Sequence, residues 1–249
     1  MFKAVIDDSK LFKDSISTIN EIISEGVFEI SNEGLKLVAM DPSSVAMIIF
    51  HLLPSAFTTF EVKQPQKIGL SMDQLKNVLR RVAGSERIIL SIDDSRFIVE
   101  IHGAHKRKFT LPIIDFEADD LRIPSLEFDA VVALKAAVLK DGVDDVSIIS
   151  DSVSLIATPK MFTMNSKSES SEVKIVLDPA ETDLILNIDV KEESKSKYSV
   201  EYLNKMIKAS KLAEELTLHF KNDYPLRLDY ASKDKLKVSF ILAPRVETE

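Results

Sequence analysis

Apolar residues along the chain recur in two rhythms. Phe12, Ile16, Ile19 and Ile23 are spaced three to four apart, as are Leu75, Val78, Leu79 and Val82 within "MDQLKNVLRR" and its continuation. Each spacing predicts a helix with one buried stripe, over about 10–23 and 71–82, and Ser9 stands where the first would be capped. After the first helix, "GVFEIS", "GLKLVAM" and "VAMIIFHL" alternate or run apolar between turn residues, as strands do. "ERIILSID" and "RFIVEIHG" predict a hairpin turning at Asp93-Asp94-Ser95. With only 6 glycines in the chain, the turns must rely on Asn, Asp and Ser.

The pattern is written twice. "SMDQLKNVLRRVAGSERIILSI" (71–92) aligns without a gap on "SVEYLNKMIKASKLAEELTLHF" (199–220), a constant offset of 128, with Ser71/Ser199, Leu75/Leu203, Glu86/Glu214 and Leu90/Leu218 identical. "FKAVI" (2–6) matches "FDAVV" (128–132), "LFKDSI" (11–16) matches "VLKDGV" (138–143), and "KFTLP" (108–112) matches "SFILAP" (239–244). The second copy should hold a shorter helix near 135–142, weakened by Gly142, then strands at "VSIISD", "SVSLIAT", "MFTMNS" and "EVKIVL", and a helix over 199–211. The expected fold class is α+β, with an N-terminal domain over 1–114, a connecting loop over 115–125 and a C-terminal domain over 126–249. Two copies are too few for an open solenoid, so a closed or paired arrangement is expected.

Charge sharpens this picture. With 32 Lys+Arg against 40 Asp+Glu, the chain carries a net charge of −8, which argues against indiscriminate adhesion to nucleic acid or anionic membrane. Cations nonetheless gather on the polar sides of the repeated helix, as Lys76, Arg80 and Arg81 in one copy and Lys205, Lys208 and Lys211 in the other. The connector "PIIDFEADDLRIPSLEF" (112–128) is acidic through Asp115, Glu117, Asp119 and Asp120, which keeps it extended and wet, yet it carries the apolar Leu121 and Ile123.

No candidate chemistry stands out. Without cysteine there is no disulfide framework, thiolate nucleophile or Cys-ligated zinc. Neither a glycine-rich phosphate loop nor a G-x-S-x-G occurs. His102 and His105 lie three apart on a strand and so point to opposite faces. Asp93-Asp94, Asp119-Asp120 and Asp144-Asp145 sit in turn-like surroundings and read as surface charge. No catalytic residue, cofactor or metal is expected. The opening "MFKAVIDDSK" lacks the order of a secretory signal, and the longest apolar run (45–57) is broken by His51 and Pro54, so a cytoplasmic protein with no membrane partner is expected. Two function classes stay open on the residues alone, a DNA-processing nuclease and a protein-interaction scaffold; the latter has no need of a repeated basic helix face.

"LVAMDPSSVAMI" (37–48), "DLRIPSLEF" (120–128) and "ILAPRVETE" (241–249), in register with the repeat, resemble the DNA sliding clamp family, proliferating cell nuclear antigen (PCNA), of archaeal type, from end to end. The resemblance implies a ring of three chains around double-stranded DNA, nucleoid-associated, with helices lining the channel and sheets outside. Lys10, Lys13, Lys76, Arg80, Arg81, Lys135, Lys140, Lys205, Lys208 and Lys211 would then face phosphates without reading sequence. Asp141, Asp144 and Asp145 crowd Lys140, so that helix should contribute less. The resemblance further implies a pocket for short peptides of a DNA polymerase, clamp loader, flap nuclease and ligase, formed by Met40, Val45, Met47, Leu121, Ile123, Ala209, Ile241, Ala243, Pro244 and Val246. Ring closure would pair the strand around "HKRKFTLPI" with that around "SEVKIVL" of a neighbour, through Lys106, Arg107, Lys108, Phe109, Val173 and Ile175. Three identical chains are expected; a ring of different paralogues stays open.

Overall fold

The computed structural model describes residues 2–84, 86–116 and 121–245. The first copy of the pattern supplies β1 (Phe2–Ile6), α1 (Ser9–Asn20), β2 (Glu25–Ser31), β3 (Gly34–Met40), β4 (Ala46–Leu52), β5 (Thr59–Val62), β6 (Gln66–Ser71), α2 (Met72–Leu79), β7 (Arg87–Asp93), β8 (Arg96–His102) and β9 (Lys106–Pro112). The second supplies β10 (Ala130–Lys135), α3 (Ala136–Ser147), β11 (Ser152–Ala157), β12 (Phe162–Lys167), β13 (Glu172–Leu177), β14 (Ile185–Val190), β15 (Ser194–Ser199), α4 (Val200–Met206), β16 (Glu215–Phe220), β17 (Leu226–Ser232) and β18 (Leu236–Leu242). Short 3-10 helices occupy Pro54–Ala56 and Ile207–Lys211. Among the described residues no helix is long and apolar enough to cross a membrane.

Strand order repeats as the sequence does. The first copy reads β5-β1-β7-β8-β9 and β6-β2-β3-β4; the second reads β14-β10-β16-β17-β18 and β15-β11-β12-β13, the same two orders strand for strand. The chain divides into two compact units, one of Met1–Pro42, Ile48–Arg122 and Ser232–Val238, the other of Ser43–Met47, Ile123–Ala231 and Ser239–Glu249.

Each unit buries the apolar stripe of two helices. In unit 1 Phe12, Ile16 and Ile19 of α1 and Leu75, Val78 and Leu79 of α2 are buried; in unit 2 Leu139, Val143 and Val146 of α3 and Leu203 and Met206 of α4 are. Fully burying one such side chain stabilises by about 1.5–3 kcal/mol. Two hydroxyls on the inner side of α1 are satisfied within the helix, Ser15 donating to the Leu11 carbonyl at 2.7 Å and Thr18 to that of Asp14 at 2.8 Å.

Asp93-Asp94-Ser95 does turn the β7–β8 hairpin: Asp93 pairs with Arg96, and Asp94 takes the left-handed conformation at φ 50°. Asp223 (φ 47°), Asp234 (φ 57°) and Ser44 (φ 57°) do likewise, as a glycine-poor chain requires, since Asp tolerates this region through local hydrogen bonds. Gly34 (φ 120°), in the β2–β3 hairpin, is not replaceable in this way: a Cβ there would lie 2.1 Å from the Leu52 carbonyl oxygen. Gly34→Ala is expected to cost at least about 2 kcal/mol through backbone strain and this clash, lowering the melting temperature by several degrees in a calorimetric scan.

The structure departs from the sequence expectations in particular places. Asp8, not Ser9, caps α1, its carboxylate accepting the Lys10 amide at 3.2 Å. The third helix is the equal of the first at 12 residues and absorbs the start of "VSIISD"; the Leu139, Val143, Val146 spacing is helical, and Ile148 just past it is 79 % exposed. Gly142 does not break it: the missing side chain makes room for Met164, whose sulfur would stand 2.6 Å from a Cβ. The helix expected over 199–211 is α at Val200–Met206 and 3-10 at Ile207–Lys211.

Candidate functional site

The basic residues of the helices divide by their surroundings. In unit 1, α2 starts at its Ser71 cap, whose hydroxyl accepts the Gln74 amide at 3.3 Å, and ends in a tightened turn where the Arg81 and Val82 amides reach back three residues to the Val78 and Leu79 carbonyls. Arg80 and Arg81 stand exposed on this turn. In unit 2 the 3-10 helix after α4 exposes Lys208 and Lys211 at the corresponding place, and Lys208 is the counterpart of Arg80 at the offset of 128. Of the ten candidates, Lys10, Arg80, Arg81, Lys208 and Lys211 have side chains that make no ion pair or hydrogen bond among the described residues and are free to attract an external anion.

The other five candidates are engaged within the chain. Lys13 donates to the Val82 carbonyl at 2.5 Å, and Lys76 lies 3.5 Å from Glu21. Lys205 pairs with Glu201 at 3.0 Å and lies 4.7 Å from the centre of the Tyr202 ring. Lys135 ends β10, outside the helix, and bonds Glu215 at 2.8 Å; Lys140 bonds Asp144 at 2.6 Å with Asp141 at 3.6 Å. The hydrogen bond to Glu215 raises the affinity of Lys135 for its proton, as the one to Asp144 does for Lys140, so both stay charged while their fields are largely cancelled.

The proposed peptide-contact residues differ in what they expose. Leu121 is 41 % and Ile123 48 % exposed in a stretch without regular structure. Met40 and Val45 are half-buried, Ala243 is exposed and Pro244 half-buried, and the Ala243 amide donates to the Val45 carbonyl at 3.0 Å, joining these two segments within unit 2. Met47, Ala209 and Ile241 are buried, so they can shape a pocket from behind but offer little surface. Val246 lies outside the described residues.

Of the residues expected at a subunit contact, the consecutive Lys106, Arg107 and Lys108 do not form one patch. Strand alternation sends Lys106 and Lys108 outward, while Arg107 and Phe109 turn to the other face and are half-buried. Val173 and Ile175 are half-buried on β13. Both β9 and β13 are terminal strands in their sheets.

Two family models meet end to end on this chain: proliferating cell nuclear antigen, N-terminal domain, over residues 1–121, and its C-terminal domain over 122–245. The chain is 40 % identical over 247 residues to DNA polymerase sliding clamp 1 of Thermococcus kodakarensis, covering 99 % of both chains. This protein belongs to the PCNA family. It is 38 % identical to the DNA polymerase sliding clamp of Pyrococcus furiosus, again over 99 % of both. The crystal structure of PCNA from Thermococcus kodakaraensis superposes with a TM-score of 0.92 at 30 % identity, covering 98 % of this chain and 100 % of that one.

In this PCNA-family chain, three surface features leave little or no trace in the sequence pattern. Ile148 follows α3, and Val176 on β13 is 48 % exposed; alternation in "EVKIVL" points to the second, whereas the first stands in a run that reads as a strand. Phe128 packs 5.5 Å from His219 and 6.1 Å, edge-on, from Tyr224, whose ring carries Lys221 at 4.0 Å. His219 in turn lies 3.1 Å from Asp229, which Arg227 also holds at 2.9 Å. Burial pushes the Asp229 carboxyl up, but His219, Ser239 and Arg227 together bring it below the usual carboxylate range.

Proposed function

We propose that this protein is a DNA polymerase sliding clamp: three copies close into a ring, encircle duplex DNA and tether replication and repair proteins through short peptides seated near Leu121 and Ile123. The observation that carries the reading is the exposed, unpaired cations on the turns that end α2 and α4, set at corresponding places in both copies of one fold. Contacts to phosphate from flexible Lys and Arg side chains carry no sequence information, which suits attraction that must not fix a register. An acidic protein with such a face is held by topology more than by affinity.

The mode of closure has support inside the chain. β18 is the counterpart of β9, and β4 the counterpart of β13. In unit 1 the Leu53 amide donates to the Lys235 carbonyl at 2.8 Å, and in unit 2 the Ala243 amide donates to the Val45 carbonyl at 3.0 Å, so β18 runs beside β4 in both. The counterpart pairing, β9 of one copy with β13 of the next, covers two sheet ends that invite aggregation when bare. It is head-to-tail and closes into a ring by rotation. Val176 and Ile148 extend the apolar part of that contact.

Two measurements test this. The mass in solution should be three times 27.9 kDa; a strict monomer at micromolar concentration overturns the ring. Clamps placed by a loader on covalently closed circular DNA should be lost when the circle is cut with both ends free, and retention equal to that on the closed circle overturns encirclement.

A further inference from the structure

The turn that ends α2 is held by three consecutive backbone groups, each bound by a different side chain. The Arg81 carbonyl accepts from Arg107 Nη1 at 2.9 Å, the Val82 carbonyl from Lys13 Nζ at 2.5 Å, and the Ala83 amide donates to Glu86 Oε2 at 2.8 Å. Carbonyls at a helix C-terminus lack partners within the helix, and water ordinarily meets them at an exposed end. Here α1 supplies one cation and β9 the other. Arg107 is fixed by its second arm: Nη2 lies 2.5 Å from both oxygens of Glu86. The two side chains are only 23 % and 12 % exposed, and Gly103 leaves the space for Glu86, since a Cβ there would lie 2.4 Å from Oε1. Bonding by the Ala83 amide, reinforced by Arg107, holds the Glu86 carboxyl below the usual carboxylate range, so the arrangement survives to lower pH than an unpaired glutamate would allow.

The side chains these bonds leave exposed are Arg80 and Arg81, while Lys13 and Arg107 spend their charge inward. We infer that Lys13, Glu86 and Arg107 are positioning residues that set the Arg80–Arg81 turn for phosphate contact, and that neither Lys13 nor Arg107 is itself a phosphate ligand. This rests on the clamp reading above. It assigns Lys13 and Arg107 roles different from those the resemblance implies, and it joins β9, a strand proposed to meet the next subunit, to the cations proposed to meet DNA.

A double-mutant cycle separates positioning from direct contact, because residues that act through Arg80 and Arg81 have no effect once those are gone. Affinity for a short duplex at low salt is measured for the assembled wild-type protein, Arg107→Met, Lys13→Met, Arg80→Ala with Arg81→Ala, and the combinations. Arg107→Met and Lys13→Met should each weaken binding by up to about tenfold alone and cause no further loss in the Arg80→Ala, Arg81→Ala background. Arg107→Lys keeps the charge but cannot span Arg81 and Glu86, so it should behave as Arg107→Met does. Additive losses, or wild-type binding by Arg107→Met and Lys13→Met, overturn the inference while leaving the clamp reading standing. Wild-type binding by the Arg80→Ala, Arg81→Ala protein overturns the phosphate role of the turn, and the inference with it. Solution mass and melting temperature of each variant exclude loss through unfolding, and Glu86→Gln, which keeps an acceptor for Ala83, provides the milder second variant.

Discussion

Replacing Leu121 and Ile123 together with alanine is expected to weaken the binding of a partner peptide by about 10- to 100-fold. Moving an exposed aliphatic side chain into an apolar contact contributes about 1.5–3 kcal/mol, and roughly half of that remains to be gained where a side chain is already half-covered. Leu121 and Ile123, at 41 % and 48 % exposure, meet this condition in a stretch that no strand or helix holds. Two such losses come to about 1.3–2.7 kcal/mol, a factor of about 10 to 100 in affinity. Stability should change little, because the folded chain buries neither residue. Ring mass should be unchanged, since both residues lie outside β9 and β13. Titration calorimetry with a peptide bearing aliphatic and aromatic anchors measures the effect, and unchanged affinity in a correctly assembled variant removes these residues from the site.

How far the sequence reveals this protein depends on which force decides each feature. Helical stripes and the gapless match of 71–92 with 199–220 were legible because burial of apolar side chains sets both, and burial leaves a period in the sequence. β15 left none. Its sequence, SKSKYS, reads as a polar loop, yet Ser194, Ser196 and Tyr198 are buried, with the Tyr198 hydroxyl donating to the Tyr224 carbonyl at 2.8 Å. The strand exists because its neighbour β11 and distant residues satisfy it. "VSIISD" failed in the opposite direction: β-branched residues suggest a strand, but the stripe of α3 continues through Val146 and tertiary packing overrides local preference.

The basic residues show the same division. Sequence spacing placed Lys135 and Lys140 near a helix, but whether a cation is available depends on the carboxylates around it. Glu215 is eighty residues away from Lys135, and only the pairing of β10 with β16 sets them together. The resemblance groups Arg107 with Lys106 and Lys108, and strand alternation divides them. Of the ten candidates, those whose side chains make no ion pair or hydrogen bond among the described residues are four on the turns after α2 and α4 and Lys10, which the repeat alone did not single out.

Removing those turn cations should have the second large effect. With Arg80, Arg81, Lys208 and Lys211 all changed to alanine, affinity for duplex DNA at low salt is expected to fall on the order of 100-fold, and the slope of log K against log salt should shrink by up to about 0.9 for each phosphate that is no longer neutralised. The four are exposed and make no ion pair among the described residues, so their removal leaves no buried carboxylate uncompensated and should spare folding and assembly. Lys135→Ala with Lys140→Ala provides the contrast. These two changes remove two cations, but each was already neutralised by Glu215 or Asp144, so the salt slope should stay near that of the wild type. A face defined by net charge alone would respond equally to any pair of lysines. A face defined by unpaired cations responds at the two turns and not at β10 or α3, and equal slopes for the fourfold variant and the wild type would locate the DNA contact elsewhere.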